Sequence, residues 1–219
     1  MSETFEIARK NMVVNQLRPN KINEENILQI FENTPKENYL DVSLGKNCYL
    51  DNNLDITDKR GYLKNLHLAQ IIKYSKISPN DKVLHIGGLT GYFSVLISSL
   101  CEELHVVEEN RELFKLLEHN INNNENTNIS LFNHNLLDGL SDKAPFSLII
   151  IDGPIFKITD KLKNQLAMNG GRLIYIKKIY DNLGKAYKII RNEDLYSSEY
   201  LFDVMSSYQI QEQQEDFKF

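Results

Sequence analysis

The sequence predicts an α/β fold built on a mostly parallel β-sheet with helices on both faces. Apolar runs at 83–86, 104–107 and 147–151 alternate with stretches of helical periodicity, and such alternation is typical of parallel strands covered on both faces. The first run ends in a glycine-rich turn at 87–91, and the second ends in Glu108. The order strand, glycine turn, helix, strand and acid is that of a nucleotide-type half-sheet.

Length and charge limit the class of protein. A chain of 219 residues with 42% hydrophobic residues predicts one compact domain with a full core. The net charge of −5 gives no basic surface, so we expect no nucleic-acid partner. The chain has no long apolar span and begins with a charged segment, so we expect no membrane partner and a cytoplasmic location. The sequence leaves the oligomeric state open, and a monomer is favoured.

Cysteine and histidine usage indicates no metal site. Cys48 and Cys101 are too far apart for a metal-binding pair and too few for a disulfide framework, so we expect reduced thiols in or near the core. The five histidines form no H-x-x-x-H or H-x-H pattern. We therefore predict no metal ligands.

The first 75 residues are predicted to be a helical extension. Apolar residues from Phe5 to Leu17 recur at helical spacing, and the run is broken at Arg18-Pro19-Asn20. A second helix is predicted at about 23–33, ended by Thr34-Pro35, and a third near 66–74.

Residues 76–219 are predicted to form the core of the same compact domain. The expected elements are strand 82–86, helix 91–100, strand 104–107, helix 110–121, strand 129–133, strand 147–151, helix 158–167 and strand 171–176. The last part, at 185–190, 198–204 and 216–219, is predicted to give two further strands. A terminal antiparallel hairpin fits this arrangement.

The glycine turn and the acid that follows it are candidate cofactor contacts. Glu108 lies 21 residues after Gly87, a spacing suited to contact with a ribose. Gly88 and Gly91 belong to the same turn, but position 89 is Leu, so the dinucleotide pattern G-x-G-x-x-G fails. The turn alone is compatible with a cofactor site or with a plain tight turn, and a nicotinamide dehydrogenase is disfavoured.

Collinear motifs extend over nearly the whole chain. The N-terminal motifs are the Met-Val and Gln-Leu pairs within 8–20, Thr-Pro-Lys-Glu-Asn-Tyr at 34–39 and Tyr-Leu-Asp at 49–51. The later motifs are Val-Leu-His-Ile-Gly at 83–87 with Gly91-Tyr92, Ala-Pro-Phe at 144–146 and Gln-Leu-Ala-Met-Asn-Gly-Gly-Arg-Leu at 165–173. Together they resemble the protein-L-isoaspartate (D-aspartate) O-methyltransferase family, in particular its divergent bacterial members.

This resemblance implies a fold, a reaction and a cofactor. The implied fold is a Rossmann-like class I methyltransferase with a mostly parallel seven-stranded sheet and an N-terminal helical extension. The implied reaction transfers a methyl group from S-adenosylmethionine to the carboxylate of isoaspartyl residues in damaged proteins or peptides. The residues implied to hold the cofactor are His85, Gly87, Gly88, Gly91, Glu108, Asn135, Leu136 and Asp152.

Three residues in or beside the implied cofactor contacts depart from the family pattern. His85 replaces an acid that helps hold the methionine amino group, and a core histidine bonded to its surroundings is the alternative. Leu89 replaces a glycine, which costs about 1–2 kcal/mol if that backbone is left-handed. Asn135 replaces the acid near the adenine amino group, and its amide oxygen is still an acceptor.

The acceptor side departs further. The family carries Thr-Ile-Ser-x-Pro ahead of the core, whereas this chain has Arg-Gly-Tyr-Leu-Lys-Asn-Leu at 60–66, with Leu63 opposite the serine. No catalytic residue is identified beyond the Leu63 and Lys64 region; Lys64 either pairs with the substrate carboxylate or is solvated. Asp152, at a strand end, either contacts a ligand or caps the next turn.

Two alternatives to isoaspartyl methylation follow from these departures. The first is a methyltransferase with a changed acceptor, because the cofactor half keeps more of the family pattern than the acceptor half. The second is a catalytically silent protein that uses the cofactor fold for binding, suggested by His85, Leu89 and Leu63 together.

Overall fold

The computed structural model describes residues 2–123 and 127–210. The strands, in chain order, are β1 (Leu54–Asp55), β2 (Gly61–Tyr62), β3 (Lys82–Ile86), β4 (Glu103–Val107), β5 (Ile129–Phe132), β6 (Leu148–Ile155), β7 (Asn169–Tyr180), β8 (Leu183–Asn192) and β9 (Leu195–Met205). The α-helices are α1 (Ser2–Met12), α2 (Glu25–Asn33), α3 (Val42–Gly45), α4 (Asn65–Ser75), α5 (Tyr92–Ser98), α6 (Arg111–Asn122) and α7 (Asp160–Lys163).

Seven strands form one sheet in the order β5-β4-β3-β6-β7-β8-β9. The first five of these are parallel, and β8 and β9 continue antiparallel from β7. This confirms the predicted parallel sheet and its terminal hairpin. The segment 216–219, predicted to contribute to the last strands, lies outside the described residues.

Alternate residues of the central strands enter two different cores. Val83 packs into the cluster on one face of the sheet, while Leu84 and Ile86 pack into the cluster on the other. Ile150 and Ile149 divide in the same way on β6. A parallel sheet is covered by helices on both faces, so its strands are apolar throughout rather than alternating.

The predicted helix at 158–167 is wrong beyond one turn. The helix α7 begins after Thr159, whose hydroxyl accepts from Leu162 N–H, and it ends at Lys163. Residues 165–167 instead run beside Phe146: Phe146 N–H donates to Gln165 O and Ala167 N–H donates to Phe146 O, each at 2.8 Å. Because those backbone groups are already paired across to another segment, they cannot continue a helix.

The N-terminal helices share a core with the sheet. Met12, Leu17 and Phe31 are buried in the same cluster as Phe93 of α5 and Val106 of β4. The helix α1 ends at Met12 and continues as a π-helical segment over Val13–Leu17. The division of the chain near residue 75 stays a prediction, although the two parts have one continuous core.

Two further observations bear on expectations from composition. Cys48 and Cys101 are both free and buried, as predicted. Within the described ranges, no helix combines the length and the apolar character needed to cross a bilayer.

Candidate functional site

The candidate site is the crevice at the carboxyl ends of β3, β4 and β6. From β3 the chain proceeds to β4 and β5 on one side of the sheet, and it returns to β6 on the other side. Such a switch point opens a crevice in which α/β sheets bind ligands. Gly87 follows β3, Glu108 follows β4, and Asp152 lies near the end of β6.

The turn at 87–91 is tightly built against its neighbours. Gly87 and Gly91 have φ angles of +100° and +102°, which favour glycine. Leu89 has φ +49°, so a leucine stands in the left-handed region considered from the sequence. A Cβ atom at Gly88 would lie 2.7 Å from Val106 Cγ1 and 2.8 Å from Leu117 Cδ2. The turn therefore has no room to move towards β4 and α6.

Glu108 is fully buried, and both of its carboxylate oxygens are paired. Oε1 accepts from Arg60 Nη1 at 2.6 Å and from Asn110 N–H at 3.0 Å. Oε2 accepts from Arg60 Nη2 at 2.8 Å and from Leu89 N–H at 3.0 Å. A carboxylate has about four acceptor sites, so these donors use its whole capacity.

Arg60 is the residue of this site that sequence reasoning missed. It lies in the turn between β1 and β2, where its carbonyl accepts from Ile56 and Thr57 N–H groups at 3.0 and 2.8 Å. Burial is the largest single influence and acts to lower the pKa of its guanidinium, but the hydrogen bonds to Glu108 and the charges of the nearby carboxylates together raise it. Arg60 is therefore a permanent cation, and no local motif in the sequence points from it to Glu108.

Tyr62 fixes the same segment to the glycine turn. Its hydroxyl lies 2.9 Å from Thr90 Oγ1 and accepts from the N–H groups of Thr90 and Tyr92 at 3.2 and 3.1 Å. Tyr62 and Tyr92 are both buried, with ring centroids 6.0 Å apart in an edge-to-face arrangement. Both tyrosines pack in the core, and Tyr62 also helps to hold the turn in place.

His85 and Asp152 face each other beneath the turn. His85 is fully buried, its Nδ1 lies 2.9 Å from Ser94 Oγ, and its Nε2 lies 3.5 Å from Asp152 Oδ2. In the described part of the chain, Nε2 makes no hydrogen bond. The register of β6 against β7 shifts between Ile150 and Pro154, and this bulge places Asp152 outside the regular ladder.

The C-terminal segment at 208–210 covers this crevice. Gln209 N–H donates to Lys59 O and Ile210 N–H donates to Pro154 O, each at 2.9 Å. The side chain of Ile210 lies 2.7 Å from the position of a Cβ atom at Gly153. The cavity left between Arg60, this segment and Asp152 has a volume of about 10 Å³, enough for roughly one water molecule.

Asn135, implied to lie near the adenine, and its neighbour Leu136 belong to a short 3₁₀ turn. Asn135 begins this turn, and its Oδ1 accepts from Leu137 N–H at 3.0 Å. Leu136 is fully buried, and its N–H donates to Glu109 Oε2 at 3.2 Å. The amide oxygen of Asn135 is thus partly used by the turn itself.

The acceptor-side candidates contact the N-terminal region. Leu63 is buried in the core cluster that includes the N-terminal helices. Lys64 directly precedes α4. Its N–H donates to Asn53 Oδ1 at 3.0 Å, and its ammonium lies 3.3 Å from an Asp51 carboxylate oxygen. Neither side chain is among those that contact Glu108.

A wider groove of about 300 Å³ lies on the outer side of the glycine turn. Its lining includes Tyr39, Ile56, Thr90, Leu113 and Asn120, and most of its surface is apolar. Because Glu108, His85 and Asp152 do not line it, this groove is separate from the crevice.

The sequence model of one protein family matches nearly the whole chain. It is described as protein-L-isoaspartate(D-aspartate) O-methyltransferase and matches residues 8–204. The chain belongs to this family. The match confirms the resemblance found from the motifs and includes the N-terminal helical region as well as the sheet.

Individual relatives agree with this family. The chain is 29% identical over 170 residues to a protein-L-isoaspartate O-methyltransferase of Koribacter versatilis, covering 78% of this chain and 76% of the relative. It is 25% identical over 190 residues to one of Geobacter metallireducens, covering 87% of each. Among solved structures, a protein-L-isoaspartate O-methyltransferase superimposes with a TM-score of 0.77 at 18% identity, covering 90% of this chain and 65% of that one. This likeness confirms the class I methyltransferase fold.

Family membership makes S-adenosylmethionine the cofactor to test against the crevice. The position of the chemical groups fits, because the buried carboxylate of Glu108 lies beside the glycine turn at the switch point of the sheet. The remaining space does not fit in this arrangement, because cofactor pockets have volumes of about 300–1,000 Å³ and the cavity here has about 10 Å³. Arg60 and the segment at 208–210 fill the crevice in this arrangement.

Proposed function

We propose that this protein is an S-adenosylmethionine-dependent carboxyl methyltransferase acting on isoaspartyl residues of damaged proteins or peptides. The observation that carries the proposal is the buried carboxylate of Glu108, set beside the glycine turn at the switch point of the sheet. It belongs to a chain that matches the family over residues 8–204.

In this proposal each contact has a separate task. Glu108 accepts from the ribose hydroxyls, and Asn135 offers its amide oxygen to the adenine amino group. Asp152, beside His85, supplies a carboxylate for the methionine ammonium, which the imidazole at position 85 does not provide. The bound cofactor supplies an electrophilic methyl group on sulfur.

The chemistry asks little of the protein beyond alignment. An isoaspartyl carboxylate is ionised at neutral pH, because its pKa lies near 4, so no general base is needed. Holding the acceptor in line with the methyl group contributes up to about 7–11 kcal/mol in well-aligned systems. The absence of the family serine at Leu63 therefore affects acceptor positioning rather than cofactor binding.

The test is methyl-ester formation on a synthetic peptide containing one isoaspartyl residue, with radiolabelled S-adenosylmethionine. The matched control is the same peptide with ordinary aspartate. We expect base-labile label on the isoaspartyl peptide alone. Label on neither peptide, from a protein that binds S-adenosylhomocysteine, would favour a changed acceptor. No cofactor binding at all would favour a silent binding protein.

The remaining expectations about partners stay predictions. We favour a monomer, and we expect no nucleic-acid partner and a cytoplasmic location. Gel filtration with light scattering tests the monomer, and the expected mass is 25.4 kDa.

A further inference from the structure

The guanidinium of Arg60 and the ribose of a nucleoside cofactor need the same carboxylate. Glu108 accepts from two Arg60 nitrogens and from two backbone N–H groups, which use all its acceptor sites. A ribose diol offers two neighbouring hydroxyl donors, and a guanidinium offers two parallel N–H donors. The ribose hydroxyls can therefore reach this carboxylate only when Arg60 has left it.

The two partners differ in how firmly they are held. Glu108 directly follows β4, which pairs with a strand on each side, and Asn133 Nδ2 donates to its carbonyl at 2.8 Å. Arg60 lies in a turn between β1 and β2, which pair through only two residue pairs. Asp58 and Lys59 in this turn are exposed. A surface turn on a two-pair ladder opens at lower cost than a strand paired on both sides in the sheet, so we expect Arg60 rather than Glu108 to move.

The same turn is joined to the C-terminal segment that covers the crevice. Lys59 O accepts a hydrogen bond from Gln209 N–H at 2.9 Å, and the Tyr208 hydroxyl donates a hydrogen bond to Asp55 Oδ1 at 2.6 Å. Displacement of the turn therefore also breaks these contacts of the C-terminal segment at 208–210, here called the cover. Both parts leave the crevice together.

We propose that Arg60 is an internal latch of the cofactor site, which holds Glu108 in the place of the ribose and closes the crevice until it is displaced. This inference rests on the proposed function, because it assigns S-adenosylmethionine to the crevice. The cofactor binds the open form alone, so its apparent affinity is its intrinsic affinity reduced by the fraction of molecules that are open. Whatever draws the β1–β2 turn away, such as an acceptor peptide, increases that fraction.

The test is the affinity for S-adenosylhomocysteine, measured by calorimetry on the full chain. Arg60→Ala removes the latch, and we expect binding at least about tenfold tighter than in the wild type. The matched control is Arg18→Ala, because Arg18 forms an exposed ion pair with Glu25 in the N-terminal region. We expect this control to bind as the wild type does.

A second variant covers the case in which Arg60→Ala does not fold. Removing one partner of a buried ion pair leaves the carboxylate of Glu108 uncompensated, which is destabilising. Arg60→Lys keeps the positive charge but lacks the paired donors of the guanidinium. We expect a folded protein that binds about threefold tighter or more, since a single ammonium holds the carboxylate less firmly.

The outcomes separate the latch from the proposed function. Equal or weaker binding in both Arg60 variants, with measurable binding in the wild type, overturns the latch and leaves the proposed function standing. Tighter binding in the variants without methyl transfer to the isoaspartyl peptide supports the latch and overturns the proposed acceptor. No binding by the wild type or either variant at millimolar ligand overturns both.

Discussion

At the scale of single residues, Lys36 is the most unusual side chain in the N-terminal region. It is fully buried, its ammonium donates to Asn65 Oδ1 at 2.9 Å, and it lies 5.2 Å from the ring centroids of both Tyr62 and Tyr92. Burial lowers its pKa to about 8. The aromatic rings favour the cation but do not replace the water that it has lost.

This lowered pKa predicts a rise in stability with pH. Between the folded pKa of about 8 and the unfolded value near 10.4, the unfolded chain binds more protons, so the free energy of unfolding rises with pH. Burial raises the pKa of the Cys48 and Cys101 thiols to about 12, which acts in the opposite direction. Comparison with Lys36→Met isolates the lysine.

The measurement is urea unfolding of both proteins at pH 8 and pH 9.5. We expect the wild type to gain about 1–2 kcal/mol relative to Lys36→Met over this interval. The same pH dependence in both proteins would show that Lys36 does not titrate in this range.

At the scale of elements, several segment ends use the left-handed backbone without glycine. The helix α4 ends at Ser75 and is followed by Lys76, which is exposed and has φ +48°. A glycine adopts this conformation without a steric cost. The lysine is therefore a local source of strain that can be removed without touching the core.

Lys76→Gly is expected to stabilise the protein by about 0.5–1 kcal/mol, since the strain of a left-handed lysine exceeds the entropy cost of glycine. The matched control is Lys46→Gly, because Lys46 is also exposed and follows a short helix but has φ −57°. Chemical denaturation of both variants tests this expectation. A loss of stability in Lys76→Gly as large as in Lys46→Gly would contradict it.

The C-terminal cover is the second element with a testable property. Gln209 and Ile210 donate their N–H groups to Lys59 O and Pro154 O. If the cofactor enters the crevice, these bonds break, so we expect faster amide exchange at these two residues when S-adenosylhomocysteine is added. Hydrogen exchange with mass spectrometry measures it, and the amides of β4 serve as the internal reference. Slower exchange on ligand addition would mean that the cover stays closed over the ligand.

At the scale of the whole molecule, the N-terminal helices and the sheet share one core. Arg9 joins the N-terminal helices to one another: it donates to Glu32 O at 2.5 Å and to Glu37 Oε1 at 3.1 Å. Arg172 of β7 joins the two parts: it donates to Ser75 O at the end of α4 at 3.1 Å, and it pairs with Asp81, next to the start of β3, at 2.5 Å. Such continuity favours a single cooperative unfolding transition.

Phe31→Ala tests this cooperativity. Phe31 of α2 is fully buried, and truncation of a buried phenylalanine costs about 3–5 kcal/mol. We expect one transition at a lower midpoint, coincident by far-UV and near-UV circular dichroism. Leu50→Ala is the control, because Leu50 is 55% exposed, and it should change stability by less than about 0.5 kcal/mol. A separate early transition in Phe31→Ala would show that the helical region unfolds independently.

The sequence determined the order of the elements, the parallel sheet with its terminal hairpin, and the positions of the glycine turn and Glu108. These features are local, because hydrophobic periodicity and a βα turn depend on residues close together in the chain. The helix predicted at 158–167 was wrong because Phe146, about 20 residues earlier, pairs with its backbone.

Only the tertiary structure decided what surrounds the acid. Arg60 reaches Glu108 across 48 residues of sequence. Ile210, at the C-terminal end of the described residues, lies against Gly153 of β6. No periodic pattern in the sequence predicts either contact, because each contact depends on where a surface segment lies on the folded sheet. The sequence thus predicted Glu108 as the acid of a cofactor site, and the fold alone showed that an arginine already holds this acid.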